Sequence, residues 1–248
     1  MKFTKMHGCG NDYVYINCFE EKVNDPSKLA QAVSDRHFGI GSDGLVLICP
    51  PDSPENDCKM RMFNADGSEA EMCGNASRCV GRYVYDRNVV RKNPIRLETL
   101  AGIKVIEVHT NSKGEAELLT VDMGEPILAP KDVPVNGDVS DSKVDGIKAV
   151  MDLKLTSQGK DFEFTCVSMG NPHAVTFIDA PVKDFAVEYY GPSLETNTAF
   201  PKKTNVEFVE FVDKTHLNMR VWERGTGETW ACGTGTCATV VAANLQGI

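Results

Sequence analysis

The feature that most restricts how this chain can fold is a stretch that occurs twice. Phe63-Asn-Ala-Asp-Gly-Ser-Glu-Ala-Glu-Met-Cys73-Gly-Asn-Ala-Ser-Arg-Cys79 returns as Trp222-Glu-Arg-Gly-Thr-Gly-Glu-Thr-Trp-Ala-Cys232-Gly-Thr-Gly-Thr-Cys237. At an offset of 159 positions, Met60-Arg61 falls on Met219-Arg220, Phe63 on Trp222, Glu69 on Glu228, Cys73 on Cys232 and Gly74 on Gly233. Each copy reads as a β-like run, a polar turn, a Cys-Gly pair and a helix-like run. Other pieces repeat in the same order. His7-Gly-Cys-Gly-Asn11 is echoed by Met169-Gly-Asn171-Pro-His173, and Asp43-Gly44-Leu-Val-Leu47 by Thr204-Asn205-Val-Glu-Phe208. The ordered matches imply an internal duplication: two similar halves, each presenting one cysteine ahead of a helix. We place the halves at 1–118, carrying Cys73, and 119–248, carrying Cys232.

Local signals give the elements. Tyr13–Asn17, Leu45–Cys49 and Cys58–Phe63 alternate as strands, and Asp25-Pro26 predicts an N-cap followed by proline at the first helical position. Ala76, Cys79, Val80, Tyr83 and Val84 have helical spacing, which predicts a helix over 73–86. Arg96–Leu100 and Ile103–His109 predict a hairpin turning at Ala101-Gly102. The Pro- and Asp-rich run from Glu125 to Ser142 reads as a linker or an extended excursion. Gly39-x-Gly41-x-x-Gly44 matches the dinucleotide fingerprint as a string, but here the helix comes first and the strand after. That is the reverse of the order the fingerprint needs.

Composition excludes several classes. The formal charge of −9 speaks against a nucleic-acid surface, and no apolar run is long enough to span a membrane. The start lacks the apolar core of a secretory signal, so a cytoplasmic protein is expected. Nine cysteines without a Cys-x-x-Cys are unlike a disulfide framework in a chain with an ample core. Cys73, Cys79, Cys232 and Cys237 are spaced more widely than zinc ligands usually are, so no metal is expected.

Cys73 and Cys232 stand where helices begin. Unpaired N–H groups and the positive end of the helix dipole favour an anion there, either a thiolate or a bound carboxylate. A cysteine protease needs a thiolate–histidine pair and no duplication. Inverting a carbon centre needs two groups, one removing a proton from one face and one supplying a proton to the other. Two helix N-termini would stabilise the charge that develops on the substrate carboxylate. The residues therefore point to a cofactor-independent racemase or epimerase.

Asn64-x-Asp-Gly-Ser…Cys73-Gly-Asn75, Trp222-Glu-Arg-Gly…Ala-Cys232-Gly-Thr-Gly, Lys5-Met-His-Gly-x-Gly-Asn11-Asp12 and Gly170-Asn171-Pro-His173 resemble the diaminopimelate epimerase family over nearly the whole chain. The resemblance implies interconversion of LL- and meso-2,6-diaminopimelate in lysine and cell-wall precursor synthesis, with no cofactor and no metal. It implies an α+β fold of two pseudo-symmetric domains, each a curled, mostly antiparallel sheet around a central helix, with the site between them. Cys73 and Cys232 would be the acid/base residues, and His173 and Glu223 would tune their ionisation. Gly74, Asn75, Gly233 and Thr234 would hold the reacting carboxylate. Asn11, Asn64, Asn171 and Asn205 would bind polar groups of the substrate, and Glu223 and Arg224 its far end.

The expected partner is a small molecule, diaminopimelate, and a homodimer is compatible with the resemblance. In that family a glutamine commonly stands where this chain has Gly44, and further strands follow the point corresponding to Ile248. A proline or hydroxyproline isomerase of the same fold, or a non-catalytic ligand-binding relative, are the alternatives.

Overall fold

A computed structural model describes all 248 residues. The chain divides into two compact units, Met1–Gly124 and Glu125–Ile248. No helix is long and apolar enough to cross a membrane.

The first unit contains β1 (Thr4–Gly8), β2 (Asn11–Asn17), α1 (Pro26–Ser34), β3 (Gly44–Cys49), β4 (Cys58–Asn64), β5 (Glu69–Ala70), α2 (Gly74–Asp86), β6 (Ile95–Thr99), β7 (Gly102–Thr110) and β8 (Ala116–Asp122). The sheet runs β1-β2-β3-β4-β6-β7-β8, with β5 paired to β4. Only β2–β3 and β4–β6 are parallel. Successive residues of a strand point to opposite faces. In β2, Tyr13 and Tyr15 join Val46, Met60, Met62, Ala76 and Val80 on the α2 side, while Val14 and Ile16 join Ala30, Val33, Leu45 and Leu47 on the α1 side. Both faces are thus covered, and these strands are apolar almost throughout. α2 touches β1 at one end of the sheet and β8 at the other, so the sheet curls around it.

The second unit contains β9 (Val139–Asp141), β10 (Lys148–Val150), β11 (Leu153–Ser157), β12 (Lys160–Ser168), β13 (Pro172–Phe177), α3 (Val187–Glu195), β14 (Asn205–Asp213), β15 (His216–Glu223), β16 (Gly227–Thr229) and α4 (Gly233–Gln246). Its main sheet is β11-β12-β13-β14-β15-β16, and only β13–β14 is parallel. Phe162, Phe164, Phe185, Val187, Leu194, Val206 and Phe208 form its largest core. The run from Glu125 to Ser142 is no free linker. Ile127 bridges to Ser168, and Val133 and Val135 are buried in that core. Proline and aspartate content masked two apolar anchors.

The register carries the duplication into three dimensions. Val14 opposes Leu45 as Ala174 opposes Val206, and Leu45 opposes Phe63 as Val206 opposes Trp222. Arg61 pairs with Glu69 through two contacts of 2.7 and 3.0 Å, and Arg220 with Glu228 through 2.6 and 2.9 Å. These forked pairs tie β4 to β5 and β15 to β16, at the turns that lead to the two cysteines.

One buried carboxylate makes the first unit sensitive to acid. Glu98, 8% exposed, accepts the N–H groups of Asp52 (2.8 Å) and Ser53 (2.9 Å) and the Asn56 amide (2.7 Å). The Asp52 N–H and these other donors hold its carboxyl below the ordinary 4.5. A lowered folded value means that the contribution is present above the unfolded value and is lost as pH falls through the folded one. Glu98→Gln should cost about 1–3 kcal/mol near neutrality. The gap from the parent should begin to narrow as pH falls below about 4.5 in urea unfolding. A gap that is constant with pH would refute the assignment.

Candidate active site

Each cysteine of the repeat caps a helix. Cys73 precedes α2 with φ −141° and ψ 120°, and its sulphur accepts the Ala76 N–H at 3.5 Å. Cys232 precedes α4 with φ −121° and ψ 111°, and its sulphur accepts the Gly235 N–H at 3.3 Å. Oxygen side chains usually fill this position. A cysteine places an ionisable sulphur there instead, at the positive end of the helix. One turn on, the hydroxyls of Ser77 and Thr236 donate to the carbonyls of Cys73 and Cys232, both at 2.9 Å.

Cys73 is half-buried and Cys232 buried. Burial pushes the Cys232 thiol well up, and the carboxylates of Glu223 and Glu207 push the same way. The Thr234 hydroxyl and the Gly235 N–H pull against them.

Gly74 and Asn75, like Gly233 and Thr234, lie in first turns, where helices leave N–H groups without an intrahelical acceptor. Each first turn meets an asparagine from the strand side of its own unit. Asn75 Nδ2 donates to Asn11 Oδ1 at 3.4 Å, and Asn171 Nδ2 donates to Thr234 Oγ1 at 3.2 Å. In the first unit the structure therefore brings Asn11 and Asn75 to Cys73. In the second it brings Asn171 and Thr234 to Cys232. His173, fully buried, faces Asn171 Oδ1 through Nε2 at 3.1 Å and Glu207 Oε1 through Nδ1 at 2.7 Å.

Asn64 donates to Ser68 Oγ at 3.0 Å, at the end of β4. Glu223, at the equivalent end of β15, accepts the Thr229 hydroxyl. Asn205 works on backbone. Its Nδ2 donates to the Pro172 carbonyl at 2.8 Å, and its Oδ1 accepts the Arg224 N–H at 2.9 Å. Glu195 continues the clasp, accepting the Gly225 N–H at 3.0 Å and Trp222 Nε1 at 2.8 Å. The turn that presents Glu223 and Arg224 is thus held by two buried side chains.

Three of these residues escape sequence reasoning: Asp43, Glu195 and Glu207. Asp43 accepts Asn11 Nδ2 at 2.7 Å and the Asp12 N–H at 3.0 Å. Its place in a Gly-Ser-Asp-Gly turn was a weak signal. Glu195 ends a helix and Glu207 alternates within a strand, positions where a carboxylate ordinarily faces water. Gly44, where a glutamine is common in the resembled family, has a physical constraint here. A Cβ on it would lie 2.1 Å from the Phe63 carbonyl oxygen.

A model of the family described as diaminopimelate epimerase matches residues 3–129 and 165–248. The diaminopimelate epimerase of Acetivibrio thermocellus is 59% identical over 248 residues, 100% of this chain and 84% of that protein. That of Methanococcus maripaludis is 55% identical over 247 residues, 100% of this chain and 85% of that protein. Among solved structures, a probable proline racemase from Agrobacterium radiobacter superposes with a TM-score of 0.67 at 14% identity, covering 98% of this chain and 77% of that one. At that identity the likeness speaks for the fold alone. It agrees with the α+β architecture of two pseudo-symmetric domains. With the family match spanning most of the sequence and relatives this similar over its full length, the chain belongs to the diaminopimelate epimerase family.

Proposed function

We propose that this protein is a cofactor-independent epimerase that interconverts LL- and meso-2,6-diaminopimelate, with Cys73 and Cys232 as its two acid/base groups. The observation that carries the reading is the repeated cap: in a family of this activity, the same ionisable side chain begins two equivalent helices. One sulphur, as thiolate, removes the Cα proton, and the other, as thiol, supplies a proton to the opposite face. The roles exchange in the reverse direction. The leaving proton pushes negative charge into the substrate carboxylate. N–H groups at Gly74, Asn75, Gly233 and Thr234 are the donors that would stabilise it. Asn11 and Asn171 stand beside these turns as polar contacts for the substrate, with Asn64 and Asn205 further along the same strand ends. His173 and Glu223 set the local charge around Cys232. The reading takes the substrate as a small molecule and the enzyme as cytoplasmic. A homodimer is the assembly that sedimentation would test.

Glu223 and Arg224 suit the far end of diaminopimelate, itself an amino acid with an ammonium and a carboxylate. Arg224→Leu should raise KM by about 10- to 100-fold, the worth of a charge-assisted contact, with a smaller effect on kcat. An unchanged KM would remove Arg224 from the substrate site. The decisive experiment is incubation with LL-diaminopimelate in D₂O, following deuterium at Cα and stereochemistry together. Incorporation with inversion supports the reading. Binding without exchange would point to a non-catalytic relative. Turnover of proline or hydroxyproline, with none of diaminopimelate, would favour the other activity carried by this fold.

A further inference from the structure

The two halves match in backbone, yet Asn11 meets Cys73 directly through its oxygen, while Asn171 reaches Cys232 through Thr234. In the first unit the Asp43 carboxylate, 2.7 Å from Asn11 Nδ2, claims the amide hydrogen. Asn11 is left presenting Oδ1, 3.5 Å from Cys73 Sγ, and a carbonyl oxygen can only accept. The Cys73 sulphur is the donor in this contact.

In the second unit the order is reversed. Glu207 is sealed from water, with Oε1 2.7 Å from His173 Nδ1 and Oε2 without any partner. A bare carboxylate there, beside a neutral imidazole, would be an uncompensated buried charge. The pair escapes this by keeping one proton on the Nδ1–Oε1 line and another on Nε2. Nε2–H then donates to Asn171 Oδ1 at 3.1 Å, which turns Asn171 Nδ2 towards Thr234 Oγ1 at 3.2 Å. With its oxygen already accepting, Thr234 directs its own hydrogen to Cys232 Sγ at 3.3 Å. The Gly235 N–H reaches the same sulphur at 3.3 Å. The helix comes this close because residue 235 is glycine. A Cβ there would lie 2.7 Å from Glu207 Oε1. In the first unit different residues stand at these positions. Tyr13 occupies the register position of His173, and Val46 that of Glu207.

We propose that Glu207 and Thr234 are positioning residues of the epimerase site. Through His173 and Asn171 they aim a hydrogen at Cys232 Sγ, a donor that favours this sulphur without its proton. The proposal rests on the two-cysteine reading above. The ionisable groups acting on Cys232 are Glu223 and Glu207; Glu207 in turn pairs with His173 and acts on Cys166.

The test is the pH dependence of iodoacetamide alkylation, resolved by mass spectrometry at Cys73 and Cys232, in the full-length protein. Thr234→Val keeps the shape and the backbone N–H but removes the hydroxyl. It should raise the Cys232 midpoint by about one pH unit, the usual size of one lost hydrogen bond to a charged group. Thr234→Ser should restore it, and the Cys73 midpoint should stay in place throughout. A Cys232 midpoint that does not rise in Thr234→Val, or that serine does not restore, overturns the proposal.

Nitrogen NMR of ¹⁵N-histidine-labelled protein, with the His173 signals identified by a His173→Asn variant, checks the other end. Nε2 should carry a proton in the parent, as its contact with Asn171 Oδ1 requires. Glu207→Gln should remove the proton shared at Nδ1. An unprotonated Nε2 in the parent overturns the chain of donors. Cys73→Ala and Cys232→Ala keep the two failures apart. If Cα inversion survives those changes, the two-cysteine reading is wrong. If inversion is lost but the midpoints do not respond to Thr234, only the relay is wrong.

Discussion

Alanine in place of Cys73 or of Cys232 is expected to lower kcat for diaminopimelate inversion by about 10³-fold or more. General acid–base groups are worth roughly 10²–10⁴-fold each, and here no second base stands on the same sulphur's helix turn to substitute. Both directions must fall together, because each cysteine is needed as base one way and as acid the other. Binding should change little, since the helix N–H groups, Asn11 and Asn171 are untouched. The informative detail is isotopic. A variant that keeps one sulphur can still exchange a Cα proton on its own side, so any residual deuterium should enter with retention of configuration. Inversion within tenfold of the parent in either variant would defeat the assignment. Serine at the same positions is a sharper comparison, because it keeps the cap but offers a far weaker acid than a thiol.

His173→Leu is expected to produce the largest loss of stability. The His173–Glu207 pair is fully buried, and Glu207 Oε2 already lacks a partner. Removing the imidazole leaves the carboxyl alone in the core, a change that typically costs about 3–5 kcal/mol. The consequence that distinguishes this cause from a packing defect is the double variant. His173→Leu with Glu207→Leu fills the same space with apolar groups and leaves no unpaired buried carboxyl, so most of the lost stability should return. Urea midpoints of the parent, both single variants and the double variant decide it. If the double variant is as unstable as the sum of the singles, shape rather than charge is what His173 supplies. Activity should not return with stability, because the donors leading to Cys232 are gone.

The backbone of the site was legible because its signals are local. A cysteine before glycine, followed by apolar residues at helical spacing, marks a helix start wherever the chain lies. α2 begins at Gly74 with Cys73 as its cap, as the spacing predicts. Asp25-Pro26 opens α1 for the same kind of reason, and Ala101-Gly102 turns the β6–β7 hairpin, where Gly102 has φ +89°. Comparing the chain with itself also exposed the duplication, which sets Arg61 on Arg220 and Glu69 on Glu228, while the pairing of each Arg with its Glu is seen only in the folded chain. Asn11, Asn75, Asn171 and Thr234 are named through the family resemblance that the motifs carry.

What lay beyond the sequence concerns burial and direction. A strand covered on one face alternates and reveals which residues are inside. β14 is covered on both, so Glu207 lies among Val206, Phe208 and Val209 with nothing in its spacing to say that it is sealed from water. The run from Glu125 to Ser142 reads as a connection because proline and aspartate dominate it, and only packing shows Val133 and Val135 in the core.

The polarity at the two cysteines is further still from the sequence. Asn11 and Asn171 are the same residue at equivalent places. Which end of Asn11 meets the Cys73 thiol, and which end of Asn171 meets Thr234, depends on a carboxylate from one neighbouring segment and an imidazole from another. A repeated motif thus determined that there would be two cysteines on two helices. The tertiary surroundings decided that they differ, because a hydrogen bond takes its direction from partners that the chain brings together only on folding.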